Sequence, residues 1–377
     1  MNPIIISAIV TAVLVIVAAI LLGWAAESAE KFIAPGLALA ILALLQTLPE
    51  YTVEAVIAWS GNTHLMVANL TGSLRLLLGF GWPMIFIIAG VAIWFKKKTF
   101  LRELTLSPHQ ALETIFLTPA VTFFTIIWLK RTMTPIDGLI LIATFFVFIW
   151  AISKAHVDKE DSIESSDMPG IVRKIVRAPS MRRNTYIALL FVGGGAVIFA
   201  VAHPFVESLK SLAVSMGISE FLFIQWVAPF VSEFPEKTTA FMWAARSNKA
   251  TTGMMNMVSS NLNQWLLLAG SLPIILSISK GSYSAIPFDD HQCQEIILTI
   301  LQTAMVLACM LNAKINWWKV ILILTLWIAG FFLPAERSHI IWIHLVLVIL
   351  ISAYYFIRQP VPELWKLARA SLIKPTH

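Results

Sequence analysis

The chain has 377 residues, 58% of them hydrophobic and only 13% charged, with a net charge of +6 and a mean hydropathy of +0.80. A soluble domain carries roughly 25% charged residues, so a water-soluble chain of this size would lack the charge to coat its cores. Apolar runs long enough to cross a bilayer recur from end to end, which sets aside soluble enzymes, secreted disulfide scaffolds, disordered tails and nucleic-acid binders.

The first run, 3–25, follows Met1-Asn2-Pro3 without the basic residues of a signal peptide and reads as a first spanning helix. The second, 34–59, contains Pro49, Glu50 and Glu54; the third, 62–95, contains Asn69, Ser73 and Arg75 and is broken around Gly79–Pro83. Two more follow at 111–129 and 136–153. Segment 154–185 is the one long polar stretch, acidic at Asp158, Glu160, Asp161, Glu164 and Asp167, then basic from Arg173 to Arg183, and reads as a solvated loop. Beyond it, runs at 186–207, 218–245, 250–279, 292–312, 319–334 and 339–357 bring the spans to eleven. Gly193–Gly195 suits close helix packing. Cys293 and Cys309 share one apolar run and read as small buried hydrophobes. His109 and His291 sit at helix starts with Glu113 and Glu295 one turn on, a pattern that suggests helix-entry hydrogen bonds.

The cations give an orientation. Of the 27 Lys and Arg residues, twenty fall in one set of alternate loops, five in the other, and two, Arg75 and Lys237, inside spans. The positive-inside rule then places the N-terminus outside, and the 154–185 loop and C-terminus in the cytoplasm. A prokaryotic plasma membrane is the expected location.

The two halves repeat. Leu48-Pro49-Glu50 matches Phe234-Pro235-Glu236 at an offset of 186, Asn69 with Gly72-Ser73 matches Asn256 with Ser259-Ser260 at 187, and His109-Gln110 with Glu113 matches His291-Gln292 with Glu295 at 182. Five spans per copy force the second copy to insert upside down, an inverted repeat of the kind found in secondary transporters. The expected architecture is therefore all-α and 5+5. Residues 1–153 form the first repeat with an ion-binding segment at 43–79, and 186–337 the second with an ion-binding segment at 229–268. Residues 338–377 add an extra helix and a cytoplasmic tail.

Carboxylates inside spans cost several kcal/mol and are functional candidates by default. The second span holds Glu50 and Glu54, the seventh Glu233 and Glu236, and in both a glutamate follows a proline. Such a proline frees the carbonyl four residues earlier, here Leu45 and Val231, which beside a carboxylate makes a hard-oxygen site for Na⁺ or Ca²⁺. Asn256, Ser260 and Gln264 are spaced i, i+4, i+8 along one helical face, with Asn69 and Ser73 as their counterparts in the first copy. Glu233 and Lys237 have the spacing of an intrahelical ion pair. Arg75 is the nearest candidate partner by sequence for Glu54.

In these segments the sequence resembles the cation/Ca²⁺ antiporter superfamily, which includes sodium/calcium and proton/calcium exchangers. The carrying residues are Thr47-Leu48-Pro49-Glu50 with Asn69-Leu70-Thr71-Gly72-Ser73, and Glu233-Phe234-Pro235-Glu236 with Asn256-Met257-Val258-Ser259-Ser260-Asn261. The resemblance implies Glu50 and Glu236 as central ion ligands, with Thr47, Ser73, Ser232 and Ser260 as oxygen donors. Asn69, Asn256, Gln264 and Glu233 complete the candidate metal set. The chain departs from the family pattern at Leu45-Gln46, Glu233, Leu74 and Leu77, and in placing Arg75 and Lys237 near the site. The implied function is a non-enzymatic antiporter exporting Ca²⁺ against H⁺ or Na⁺ by alternating access, with a lipid bilayer and small cations as partners and no cofactor beyond the transported ions. An orphan exchanger for another ion and a scaffold that has lost the site are the alternatives. No intramembrane hydrolase motif is present.

Overall fold

The computed structural model describes residues 3–30, 32, 47–154, 170–245 and 250–372. Helix α1 (Pro3–Glu30) is apolar from Ile4 to Ala25 and packs on the later helix α9. The second span is described from Thr47 as α2 (Leu48–Trp59); its first half lies outside the described residues. Pro49 stands in the first turn of α2, where a missing N–H costs nothing.

Helix α3 (Thr63–Arg75) is capped by Asn62, whose side chain accepts from Leu65 N. It does not break at Gly79–Pro83 as expected. A π-helical turn over Leu76–Gly81 carries it into α4 (Trp82–Lys97). Pro83 cannot donate to the carbonyl four residues back, and the wider turn absorbs that loss without ending the helix.

Next come β1 (Glu103–Thr105), α5 (Pro108–Ile115), α6 (Leu117–Lys130), β2 (Thr132–Met133) and α7 (Pro135–Lys154). Part of the polar segment is folded rather than merely solvated: α8 (Gly170–Arg177) buries Val172 and Ile175 and packs on α1. Helix α9 (Ser180–Ser215) has 36 residues, well beyond the expected 186–207, and spans about 54 Å. Of its three glycines, Gly194 makes the close approach, since a Cβ there would meet Leu22 and the carbonyl of Ala18.

The seventh span is two helices, α10 (Glu220–Ser232) and α11 (Phe234–Ala244), broken at Glu233. Pro235 lies in the first turn of α11, so it starts a helix rather than kinking one. This corrects the expectation of freed carbonyls: that of Val231 accepts from the N–H of Glu233, and Leu45 lies outside the described residues.

Helix α12 (Ala250–Asn263) also passes through a π-turn, Gln264–Leu268, into α13 (Ala269–Lys280). The chain ends with β3 (Ile286–Pro287), α14 (Asp290–Met310), β4 (Lys314–Asn316), α15 (Trp317–Phe332), α16 (Arg337–Arg358) and α17 (Glu363–Leu372). Helix α17 falls in the expected tail but is docked: Leu364, Ala368 and Ser371 are buried, and the helix packs on α5. Eight described helices are long and apolar enough to cross a membrane. Phe146, Leu189, Val192, Phe199, Ile343 and Ile349 lie exposed on outer faces, as lipid contact requires.

The repeat is visible in backbone detail. Strand β1 pairs with β4 and β2 with β3, so each two-stranded patch takes one strand from each half. Leu104 opposite Ile315 and Ile286 opposite Met133 are equivalent pairs at the offset of 182. Both α5 and α14 begin with a capping box, Ser107 with Gln110 and Asp289 with Gln292. Helix entry is therefore made by these residues, not by the neighbouring histidines. Left-handed residues follow the same register: Arg131 matches Ala313, with φ of 55° and 54°.

Candidate functional site

The first turns of α2 and α11, the break at Glu233, and the ends of α3 and α12 before their π-turns converge. Ser73 Oγ donates to Glu50 Oε1 and contacts Glu233 Oε1. Gln264 Nε2 donates to Glu50 Oε2 at 2.6 Å and to Glu233 Oε1 at 2.9 Å. Ser260, one turn before Gln264, donates to Glu236 Oε1 at 2.6 Å. Carboxylates from both halves thus share hydrogen-bonding side chains from both halves. All six residues are buried, and Glu50 also lies within coulombic reach of Glu236 and Glu54. Among the described residues, Glu236 Oε2 and Gln264 Oε1 are buried acceptors of this cluster without a hydrogen-bond partner.

The π-turns position this cluster. A wide turn leaves carbonyls unmatched, and in a membrane each must find a partner. Asn261 Nδ2 donates to Leu74 O at 2.9 Å, Gln302 Nε2 to Arg75 O at 2.9 Å, and Tyr51 Oη to Asn263 O at 3.1 Å. Every one of these contacts joins one half to the other.

The remaining candidates are spread around the cluster. Lys237 Nζ pairs with Glu233 Oε2 in a buried i, i+4 ion pair. Thr47 is buried immediately before α2, and its carbonyl accepts from Tyr51 N at 3.0 Å. Ser232 is buried at the end of α10 with its hydroxyl on Pro229 O at 3.5 Å. Asn69 and Asn256 do not join the cluster. Asn69 Nδ2 donates to Glu54 Oε2, and Asn256 lines a separate cavity of about 20 Å³ with His109, Glu113 and Ser259. Arg75 turns away from Glu54. It pairs with Glu295 at 2.6 Å, which Arg337 of α16 also meets at 3.0 Å. Residue 75 lies too far round its helix from Ser73 to face α2, and Glu295 comes from 220 positions away.

Gln225 is a residue sequence reasoning missed. A lone amide in the apolar run of α10 was its signal. Its Nε2 donates to Thr71 Oγ1 at 3.1 Å and to Glu295 Oε2 at 2.8 Å. Its backbone sets the spacing of α3 and α10, since a Cβ on Gly72 would stand 1.7 Å from Gln225 O. Gly72→Ala should therefore force the two helices apart and displace Ser73. A destabilisation of about 1–3 kcal/mol or more is expected, read as a lowered thermal unfolding midpoint in detergent.

The sodium/calcium exchanger protein family matches residues 2–154 and 186–333, leaving out the polar segment between the halves. The crystal structure of the H⁺/Ca²⁺ exchanger CAX is 30% identical, superimposes with a TM-score of 0.87, and the match covers 98% of this chain and 90% of that one. Native YfkE is 18% identical with a TM-score of 0.62 over 86% of this chain and 92% of its own. The sodium-calcium exchanger NCX_Mj, soaked with Na⁺ and Sr²⁺, is 16% identical with a TM-score of 0.57 over 88% and 98%. The last two show the shared fold. A comparison with curated proteins gives no match.

Proposed function

This chain belongs to the sodium/calcium exchanger protein family, and on that premise we propose that it is an antiporter carrying Ca²⁺ across the membrane against H⁺ by alternating access. The observation that supports this reading is the sharing of Ser73 and Gln264 by Glu50 and Glu233, with Glu236 one turn along the same polar stripe. Ca²⁺ takes about six to eight hard oxygens. Three carboxylates, two hydroxyls and the free Gln264 carbonyl oxygen supply that chemistry. Three carboxylates and the Lys237 ammonium leave two negative charges, which balance one Ca²⁺ or two protons.

Two points favour H⁺ over Na⁺. Lys237 already sets a monovalent cation on Glu233, and the 30%-identical structure is that of an H⁺/Ca²⁺ exchanger. The cation distribution along the loops supports an outside N-terminus and a cytoplasmic C-terminus.

Uptake of radioactive Ca²⁺ into inverted vesicles tests the reading. An inside-acid pH gradient should drive accumulation and an imposed Na⁺ gradient should not. Accumulation under Na⁺ alone would replace the coupling ion, and none under either gradient would favour the scaffold.

A further inference from the structure

Far from the carboxylates, a groove of about 620 Å³ lies between the last turns of α16 and the segment that joins α14 to α15. Its α16 wall changes character over about 12 Å, from Leu350 and Ile351, through Tyr354 and Tyr355, to Arg358 and Gln359. Trp318, in the first turn of α15, adds a third ring. Helix α16 is one of the apolar helices of membrane-spanning length and ends at Arg358. The rings thus stand at the interfacial level where aromatic side chains gather, with hydrocarbon on one side and water on the other.

Two positive charges border this groove. Arg358 is exposed, stacks on the Tyr354 ring at 4.5 Å and has no carboxylate partner among the described residues. Lys319 is fully buried behind the rings, its ammonium 5.6 Å from the centre of Trp318 and 5.5 Å from that of Tyr355. Its ammonium donates to the Cys309 carbonyl, to Asn312 Oδ1 at 2.6 Å and to Lys314 O at 2.5 Å, all neutral oxygens. Glu103, within coulombic reach, is already bonded to Lys314 at 2.7 Å. A buried charge held only by neutral oxygens is costly and draws an opposite charge towards it.

We propose that this groove binds one anionic phospholipid, with its phosphate on Arg358 and an acyl chain along Leu350 and Ile351. The guanidinium fork suits phosphate oxygens. Asn312, which also lines the groove, has its oxygen engaged by Lys319 and offers its Nδ2 as a second donor. The three N–H groups of Lys319 are taken, so it attracts the headgroup through its field, which the apolar surroundings screen weakly. A free phosphate would leave the apolar half of the groove to water, whereas a lipid fills both halves. A choline headgroup would bring its own cation to where two already stand. The site is independent of the transported ion.

Native mass spectrometry of the full-length protein, stripped of lipid in detergent, tests this with short-chain phosphatidylglycerol, phosphatidylcholine of the same chains, and inorganic phosphate. A single phosphatidylglycerol should bind each chain in clear preference to phosphatidylcholine, and millimolar phosphate should not displace it. Arg358→Gln should weaken its binding about tenfold; Arg358 is exposed, so the variant folds. Leu350, itself 58% exposed, can be enlarged without strain, and Leu350→Trp should block the acyl chain and weaken binding as well. Equal binding of the two lipids overturns the proposal, as does unchanged phosphatidylglycerol binding by Arg358→Gln. Displacement by phosphate with Leu350→Trp silent would leave an anion site and no lipid site. Lipid-free chains that associate, and separate in Leu350→Trp, would give the groove to a second copy instead.

Discussion

Replacing Glu50 or Glu236 with Gln should reduce Ca²⁺ uptake to the level of vesicles without the protein, while the variants fold and reach the membrane in normal amounts. Gln has the shape of Glu and can still accept from Ser73 or Ser260, so packing and most hydrogen bonds survive. What is lost is one of the two net negative charges of the central cluster. In a buried site the attraction between a divalent cation and a carboxylate is far larger than in water, and a site of net charge −1 leaves Ca²⁺ half-compensated. Proton exchange fails for the same reason, because an amide cannot trade a proton for a cation. The check is uptake under an imposed pH gradient, with the amount and monodispersity of purified protein measured alongside. Transport at the unaltered rate in either variant would reduce the Pro-Glu segments to helix starts with buried hydrogen bonds.

Lys237→Ala has the second large effect, on stability. The side chains of Lys237 and Glu233 are 4% and 1% exposed, so neither charge can turn to water. Removing one partner of a buried pair typically costs about 3–5 kcal/mol, because the other is left uncompensated, whereas removing both is often tolerated. Lys237→Ala alone should thus lower the unfolding midpoint markedly. Glu233→Gln combined with Lys237→Ala should restore most of it, since Gln still fits between Ser73 and Gln264. A single variant that instead stays stable and binds Ca²⁺ more tightly would show that the lysine occupies the ion's own place.

The sequence carried the scaffold and the composition of the site, and failed at partners distant in the chain. Pro49-Glu50, Pro235-Glu236 and the Asn69/Asn256 register were legible because a repeat copies local spacing. The pairing of Glu233 with Lys237 was legible because it obeys helical periodicity. Arg75 was not: its partner Glu295 is set by how α3 packs on α14, and nothing near Arg75 in the chain encodes that. The prolines misled for a related reason. Their spacing is that of a kink or of a helix start, and the break at Glu233 decides between the two. Asn69 and Asn256 occupy equivalent positions, yet one meets Glu54 and the other a small cavity near Glu113. A repeat copies the backbone more faithfully than the side chains facing it.

The exchanged strand pairs bear on how such a molecule can move. Strands β1 and β2 lie at the two ends of the α5–α6 span, β3 and β4 at the two ends of α14, and they join crosswise. The two spans are therefore pinned together top and bottom, with Leu106 N on Ala313 O and Phe288 N on Arg131 O extending each seam by one more bond, both at 2.9 Å. Helices stapled at both ends can neither slide past one another nor splay without breaking backbone hydrogen bonds at a seam. On the alternating-access reading proposed above, these spans would be the stator. A swing that opened the carboxylates first to one compartment and then to the other would be taken up by the helices around that fixed axle.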